Sequence, residues 1–145
     1  MNIRILTKDD LDKCAQLLIQ SYNRPPWNSK WNYERAVKYL NEYVDRGRFV
    51  GFVLCEDDNI AGAMLGHSKT WWLNDLLYID ELFVSPDKQK MGYGKLLLSH
   101  TEKYAKEQGY EVVSLMTSKY MPAFKFYKSI DYIQAEHYVF FFKSV

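Results

Sequence analysis

Two closely spaced glycines, Gly92 and Gly94, lie between a strand-like segment and a helix-like segment. The apolar residues of the strand-like segment, Ile79, Leu82, Phe83 and Val84, are followed by Ser85-Pro86, and beyond the glycines apolar residues recur every three or four positions. Glycines at such a junction leave backbone N–H groups uncovered where a helix N-terminus also has unpaired donors. The charged residues around the turn are three lysines and one aspartate: Lys88, Lys90, Lys95 and Asp87. This pattern predicts an anion site.

Two familiar phosphate-binding loops do not match this turn. A dinucleotide-binding fingerprint requires glycine where this chain has Leu97, and a P-loop requires glycine at Gln89 and Ser or Thr at Leu96. The run Gln89-Lys90-Met91-Gly92-Tyr93-Gly94 instead resembles the Gln/Arg-x-x-Gly-x-Gly/Ala motif of the GNAT superfamily, the N-acetyltransferases that use acetyl-coenzyme A. In that family the backbone amides of the loop hold the pyrophosphate of the cofactor.

A second motif near the C-terminus carries the same resemblance. The run from Ala123 to Tyr132 is similar to the family ending Ala-x-x-x-Tyr-x-x-x-Gly-Phe. It departs from that ending at Asp131, which stands at the glycine position. Tyr120 stands where the family commonly has Asn, so Tyr120 or Lys119 is expected to replace that side chain. Together the motifs and the element order extend the resemblance over essentially all 145 residues.

The resemblance implies acetyl-coenzyme A as the cofactor. Its pantetheine arm is expected in a gap between the strand Leu82 to Val84 and the next strand, Val112 to Met116, with a backbone N–H near Phe83 or Val84 polarising the thioester carbonyl. The expected cofactor-binding residues are Leu82, Phe83, Val84, Gln89, Lys90, Met91, Gly92, Tyr93, Gly94, Lys95, Tyr120, Ala123 and Phe126.

Glu81 is the candidate general base. A carboxylate within an apolar central strand is costly unless it is paired, and an alkylammonium must lose a proton before its nitrogen can attack. A salt bridge or a solvated strand face is the structural alternative, and Asp80, expected on the opposite face of the strand, is the alternative base. By the resemblance, Tyr127 matches the family tyrosine that protonates the departing thiolate, although a core aromatic is its structural alternative.

Trp27 and Trp31 lie in a segment that interrupts the first helix, because Pro25 and Pro26 cannot continue it. Two indoles beside rigid prolines predict an apolar wall with N–H donors. In the resembling family this connection often borders the acceptor pocket, so both tryptophans are candidate substrate-binding residues. Simple loop packing is the alternative.

Residue patterns predict a single α/β (α+β) GNAT-like domain over residues 1–145, with a mixed, mostly antiparallel sheet of about seven strands and about four flanking helices. A capping-box spacing from Thr7 to Asp10 opens the first helix. The second helix is expected to turn Tyr33, Val37, Leu40 and Val44 toward the core. The last two strands are expected as a hairpin formed by Tyr132-Ile133 and His137 to Phe142.

Composition excludes several classes of protein. The net charge of +1 gives no sign of a nucleic-acid-binding surface, and no apolar run approaches the roughly 18 residues of a membrane span. Cys14 and Cys55 lack metal-like spacing, no other residue cluster suggests a metal, and no signal sequence precedes the domain, so a reduced, cytoplasmic protein is expected. The 17% aromatic share, with twelve Tyr and four Trp, suggests a ring-lined cavity.

The leading function is transfer of an acetyl group to a primary amine of a small molecule. Acetylation of proteins or peptides is a weaker option in the same class. A non-catalytic acyl-coenzyme-A sensor is the alternative from a different class, and a nucleotide-binding regulator is more distant because the phosphate-loop patterns fail. By analogy with the family, a homodimer is plausible.

Overall fold

One mixed sheet forms the centre of the molecule, and the computed structural model describes all 145 residues. The strands are β1 (Asn2–Ile5), β2 (Phe49–Glu56), β3 (Asn59–Lys69), β4 (Leu76–Val84) and β5 (Val113–Leu115). They lie side by side in that order, β1 to β4 antiparallel and β5 parallel to β4. The predicted single α/β domain with a mixed, mostly antiparallel sheet is confirmed.

Four helices cover the two faces of the sheet. They are α1 (Leu11–Tyr22), α2 (Tyr33–Val44), α3 (Tyr93–Glu107) and α4 (Pro122–Ser129), with short 3-10 turns at Lys8–Asp10 and Pro86–Lys88. One core lies between the sheet and α1 and α2, around Cys14, Leu40 and Phe83. The other lies between the sheet and α3, around Leu54 and Leu97. None of the helices combines the length and apolar character needed to span a membrane.

The prediction of about seven strands is wrong, because the sheet has five and the last hairpin does not form. Tyr132 instead closes the end of α4, where its N–H donates to the carbonyl oxygen of Tyr127 at 3.0 Å. Residues 138–142 form no strand, and each is at least 70% exposed. An apolar run favours a strand, but only the backbone of a neighbouring strand provides its hydrogen bonds.

The faces of the helices follow the predicted periodicity with one exception. Cys14 on α1, Leu97 on α3 and Leu40 on α2 are fully buried, as expected. Tyr33 was expected in the core, but it lies at the first position of α2, is 49% exposed and donates a hydrogen bond to Asp12 of α1. The buried residues of α2 begin at Ala36, so Tyr33 at the start of the helix lies outside the core.

The predicted capping-box spacing before α1 is confirmed. The Asp10 carboxylate accepts the backbone N–H of Thr7 at 2.9 Å and binds the guanidinium of Arg4 through two contacts of 2.8 Å. Hydrogen bonding to Arg4 is the main reason that the pKa of Asp10 lies below its usual value. These contacts anchor the beginning of α1, whose other end carries Ser21 and Tyr22 to β4.

A β-bulge in β4 interrupts its pairing with β3. Leu65 pairs with Glu81 but Gly66 pairs with Ile79, so Asp80 has no partner. The extra residue breaks the alternation of the strand. The side chains of Asp80 and Glu81 consequently both point to the face covered by α2, where Arg46 and Tyr39 contact them. The expectation that Asp80 lies on the opposite face is wrong for this reason.

Gly66→Ala should distort the bulge and destabilise the protein. A Cβ atom at Gly66 would lie 2.4 Å from the backbone carbonyl oxygen of Tyr78, which cannot move without shifting β4. Overpacking of this kind typically costs about 1–3 kcal/mol, so we expect the free energy of unfolding in urea to fall by about 2 kcal/mol.

Gly47→Ala is the matched control, because nothing lies within 4 Å of a Cβ atom at Gly47. Its stability should stay within about 0.5 kcal/mol of the wild type. Equal stability of the two variants would show that the bulge does not depend on the missing side chain at Gly66.

Candidate active site

The turn between β4 and α3 presents a row of backbone N–H groups that have no partner within the protein. The amides of residues 89 to 92 donate no hydrogen bond, and the first turn of a helix leaves its own amides unpaired. Gly92, immediately before α3, has φ of 85°, a left-handed conformation that glycine adopts without steric cost. The Gln89 side chain fastens the turn to the end of β4 by donating to the Val84 carbonyl oxygen at 3.2 Å.

Two of the three lysines around the turn have no ionic partner. Lys88 lies 3.3 Å from the carboxylate of Glu56 at the end of β2, a contact that sequence analysis did not anticipate. Lys90 and Lys95 form no ion pair. Asp87 accepts a hydrogen bond from the hydroxyl of Ser85. The positive charge available to an anion is therefore that of Lys90 and Lys95.

A gap opens between β4 and β5 beside this turn. The two strands pair only from Leu77 to Ile79, whereas β4 continues to Val84. The N–H of Ser85 donates to β3, so the alternation of an antiparallel ladder directs the backbone groups of Leu82 and Val84 away from β3. Leu82 and Val84 therefore present the backbone of β4 to the gap. Phe83 contributes its ring to the core on the α1 side.

Helix α4 packs at the base of the turn. A Cβ atom on Gly94 would lie 3.3 Å from the ring of Phe126, so the small residue lets this ring lie against the first turn of α3. Ala123 lies four residues before Tyr127 and therefore on the same side of α4. Tyr120 precedes the helix and is 91% exposed, so the protein does not bring its ring to the other predicted cofactor-binding residues.

Glu81 lies on β4 beside the gap, among aromatic side chains. The hydroxyl of Tyr39 donates a hydrogen bond to Glu81 Oε1. Burial raises the pKa of Glu81 to about 6, while the hydrogen bond from Tyr39 opposes this effect and the negative charge of Asp80 adds to it. A carboxylate with this pKa is mostly ionised at neutral pH and still accepts a proton readily.

The two predicted tryptophans reach Glu81 through tyrosines. The ring of Trp31 lies 4.8 Å from that of Tyr39, and the ring of Trp27 lies 5.7 Å from that of Tyr22. Tyr22 donates to the backbone carbonyl oxygen of Leu82 at 3.3 Å, and its hydroxyl also helps to lower the pKa of Glu81. Both predicted indoles thus belong to the aromatic surroundings of the carboxylate.

A cavity of about 400 Å³ also opens beside Trp31, but its lining is cationic. Lys30 and Arg35 contribute to it, and no acidic residue does. Such a lining repels an ammonium group. An amine is therefore better accommodated at Glu81 than in this cavity.

Tyr127 of α4 approaches the same carboxylate from the α3 side of the sheet. Its ring lies 5.2 Å from that of Phe126 and 5.5 Å from that of Tyr132. Burial, and to a smaller extent the negative charge of Glu81, raise the pKa of the Tyr127 hydroxyl above its ordinary value. The hydroxyl therefore stays protonated and able to donate a proton.

Sequence reasoning missed a group of polar residues next to Glu81. The Asp80 carboxylate lies 2.8 Å from His67 Nδ1 and 3.5 Å from the guanidinium of Arg46. Tyr43 donates to the hydroxyl of Tyr39 at 2.9 Å. Tyr39, Tyr43 and Arg46 have helical spacing, which places them on one side of a helix. Their residue types gave no indication of a catalytic role. The bulge at Asp80 is what brings both carboxylates to these side chains.

These features define a class of protein, the α/β acetyltransferase domains in which a glycine turn begins a helix beside two separating strands. The chain belongs to the acetyltransferase (GNAT) family, whose model matches residues 11–132.

Individual relatives agree with this assignment. An uncharacterized N-acetyltransferase of Methanocaldococcus jannaschii is 28% identical over 146 residues, covering 92% of this chain, which spans only 61% of that relative. An aminoglycoside acetyltransferase from an uncultured soil metagenomic sample, solved with sisomicin, is 25% identical with a TM-score of 0.75, covering 99% of this chain and 95% of that one. A GNAT family acetyltransferase of Staphylococcus aureus, 17% identical, shares the fold with a TM-score of 0.74 over 99% and 98% of the chains.

Glu81→Gln should stabilise the protein at high pH. Between the ordinary pKa of 4.5 and the value of about 6 in the folded protein, the folded state binds a proton that the unfolded chain has released. The free energy of unfolding of the wild type therefore falls as the pH rises through this window. The difference between these two pKa values corresponds to about 2 kcal/mol of unfolding free energy. Between pH 4 and pH 8, the free energy of unfolding of Glu81→Gln should therefore rise by about that amount relative to that of the wild type.

Urea unfolding at the two pH values measures this change. Glu107→Gln, in an exposed pair with Lys103 at 3.9 Å, is the control and should show no such gain. A constant difference between Glu81→Gln and the wild type at both pH values would mean that the Glu81 carboxylate titrates normally.

Proposed function

We propose that this protein transfers the acetyl group of acetyl-coenzyme A to a primary amine of a small molecule. The observation that supports this most directly is the position of Glu81, a half-buried carboxylate without a cationic partner, beside the gap where β4 separates from β5. The free amides of residues 89 to 92, together with Lys90 and Lys95, suit the pyrophosphate of the cofactor. The structural neighbour solved with sisomicin acts on aminoglycosides, which supports a small-molecule amine.

The residues around the gap divide the chemistry between them. Bound acetyl-coenzyme A supplies an activated acyl group as a thioester. The backbone of Leu82 and Val84 offers N–H groups toward the gap, where they can orient the pantetheine arm and polarise the acyl carbonyl. Lys90, Lys95 and the amides of the turn hold the phosphates. Tyr120, whose ring is exposed, contributes least to this proposal.

Glu81 and Tyr127 move the two protons of the reaction. Glu81 accepts a proton from the ammonium of the acceptor, directly or through a water molecule, and so frees the nitrogen lone pair for attack. When the C–N bond forms and the C–S bond breaks, the nitrogen would release its second proton, which can return through water to the Tyr127 oxygen after Tyr127 has protonated the sulfur. Tyr127 would protonate the departing thiolate or donate a hydrogen bond to it. The raised pKa of Tyr127 keeps its hydroxyl protonated and so available as a donor.

Acetyl-coenzyme A should raise the thermal unfolding temperature of the protein, because a ligand that binds only the folded state stabilises it. Release of free thiol should then occur with at least one member of a panel of primary amines that includes aminoglycosides, alkyl diamines and a peptide N-terminus. Turnover of the peptide alone would favour protein acetylation. An upward shift without thiol release would indicate a non-catalytic acyl-coenzyme-A sensor, and no shift would contradict the cofactor site.

Glu81→Gln and Tyr127→Phe should each lower kcat by about 10²-fold, because each removes one proton transfer. The thermal shift caused by acetyl-coenzyme A should remain, since neither side chain is needed to hold the phosphates. Tyr132→Phe is the control, because Tyr132 packs on Tyr127 but donates to Glu102 outside the site. Full kcat in either variant would remove that residue from its proposed role.

A further inference from the structure

Three side chains on one side of α2 and its C-terminal end lie over the bulge. They are spaced four and three residues apart: Tyr39, Tyr43 and Arg46. Tyr39 donates to Glu81, Tyr43 donates to Tyr39 at 2.9 Å, and Arg46 lies 3.5 Å from Asp80. The guanidinium of Arg46 also lies 5.2 Å from the centre of the Tyr43 ring. The three residues therefore form one connected row that touches both carboxylates of the bulge.

The two neighbouring carboxylates, Asp80 and Glu81, have partners of different charge. Asp80 has a cationic partner in Arg46, it also lies 2.8 Å from His67 Nδ1, and its side chain is only 8% exposed. Glu81 has neutral phenol partners and no basic side chain within ion-pair distance. A buried carboxylate without a counterion is costly. The charge of Asp80 is thus balanced within the protein, whereas that of Glu81 is not.

We propose that Tyr39 is the positioning residue of Glu81 and that the acceptor's ammonium is the counterion of Glu81. In the row Tyr39–Tyr43–Arg46, Arg46 neutralises Asp80, whereas Glu81 receives no positive charge from the protein. This inference rests on the function proposed above and deepens it. The acceptor binds as a cation, with its ammonium held by the carboxylate of Glu81. Amines that are uncharged at the working pH therefore bind poorly.

The ionisable groups that face Glu81 come from four elements. They are Tyr22 from α1, Tyr39 and Tyr43 from α2, Asp80 from β4 and Tyr127 from α4. His67 of β3 and Arg46 act on it through Asp80. The tyrosines remain neutral, since proximity to Glu81 and burial raise their pKa values. Asp80, with its cationic partner Arg46, is therefore the charged group that acts on Glu81.

Substitutions in the row and at Asp80 should shift the midpoint on the acid side of the pH–rate profile. The row variants should raise this midpoint and the Asp80 variant should lower it. Tyr39→Phe removes a hydrogen bond to the ionised carboxylate, so the midpoint should rise by about one pH unit. Asp80→Asn removes a neighbouring negative charge, so the midpoint should fall. Arg46→Met leaves Asp80 less neutralised and should raise the midpoint. Arg46 is an exposed side chain, so this variant tests the charge relation even where Asp80→Asn does not fold.

Tyr33→Phe is the matched control. Tyr33 lies on the same helix and also donates a hydrogen bond to a carboxylate, that of Asp12, but this pair is exposed and outside the site. Its profile of kcat/KM against pH should equal that of the wild type. Above the midpoint, Tyr39→Phe should lower kcat more than it raises KM, because the carboxylate keeps its charge but loses its orientation. A midpoint that is unchanged or lower in Tyr39→Phe or in Arg46→Met, or one that is higher in Asp80→Asn, would overturn the inference.

Carbon-13 NMR of the glutamate carboxylates separates this inference from the proposed function, because it needs no turnover. Glu81→Gln identifies the Glu81 signal. The pKa of that signal should be higher in Tyr39→Phe, and in the wild type it should fall on addition of ethylammonium chloride but not of ethanol. If these pKa changes are observed but no amine gives thiol release, the positioning role of Tyr39 is supported and the proposed transferase function is contradicted. An unchanged pKa with ethylammonium would show that the acceptor's ammonium is not the counterion.

Discussion

The register shift between β3 and β4 is the constraint on which the site depends. Without it, strand alternation would place Asp80 and Glu81 on opposite faces of the sheet. The bulge turns both side chains toward α2, and Gly66 permits the close approach of the Tyr78 carbonyl that the bulge requires. The buried carboxylate, its tyrosine partners and the neutralised aspartate all follow from one unpaired residue.

The second constraint is electrostatic. Burial opposes ionisation of Glu81, and the hydroxyls of Tyr39 and Tyr22 partly offset it, so the pKa settles near the range in which a general base is effective. A full ion pair at Glu81 would stabilise the fold further but would also lower the basicity of the carboxylate. The tyrosines supply hydrogen bonds to Glu81 without supplying a positive charge. The unpaired carboxylate lowers the stability of the fold, but it keeps a pKa at which it can act as a base.

The sequence alone predicted much of the cofactor side of the site and less of the acceptor side. The glycine turn and the buried face of α3 depend on local patterns, which a single chain displays. Asp80 was misplaced because alternation gives no sign of a bulge. Tyr39 and Tyr43 were overlooked because twelve tyrosines differ only in their surroundings. The last hairpin was predicted from the apolar segments Tyr132-Ile133 and His137 to Phe142, although Tyr132 is used at the end of α4.

The contrast between Asp80 and Glu81 also decides which carboxylate can act as the base. Proton transfer to Asp80 would leave Arg46 and His67 without their anionic partner in a place where the aspartate side chain is 8% exposed. Proton transfer to Glu81 leaves no cation of the protein without its partner, because no basic side chain pairs with this carboxylate. Glu81 also lies where β4 diverges from β5, whereas Asp80 is tied to β3 and α2. Electrostatics and position therefore favour the same residue for independent reasons.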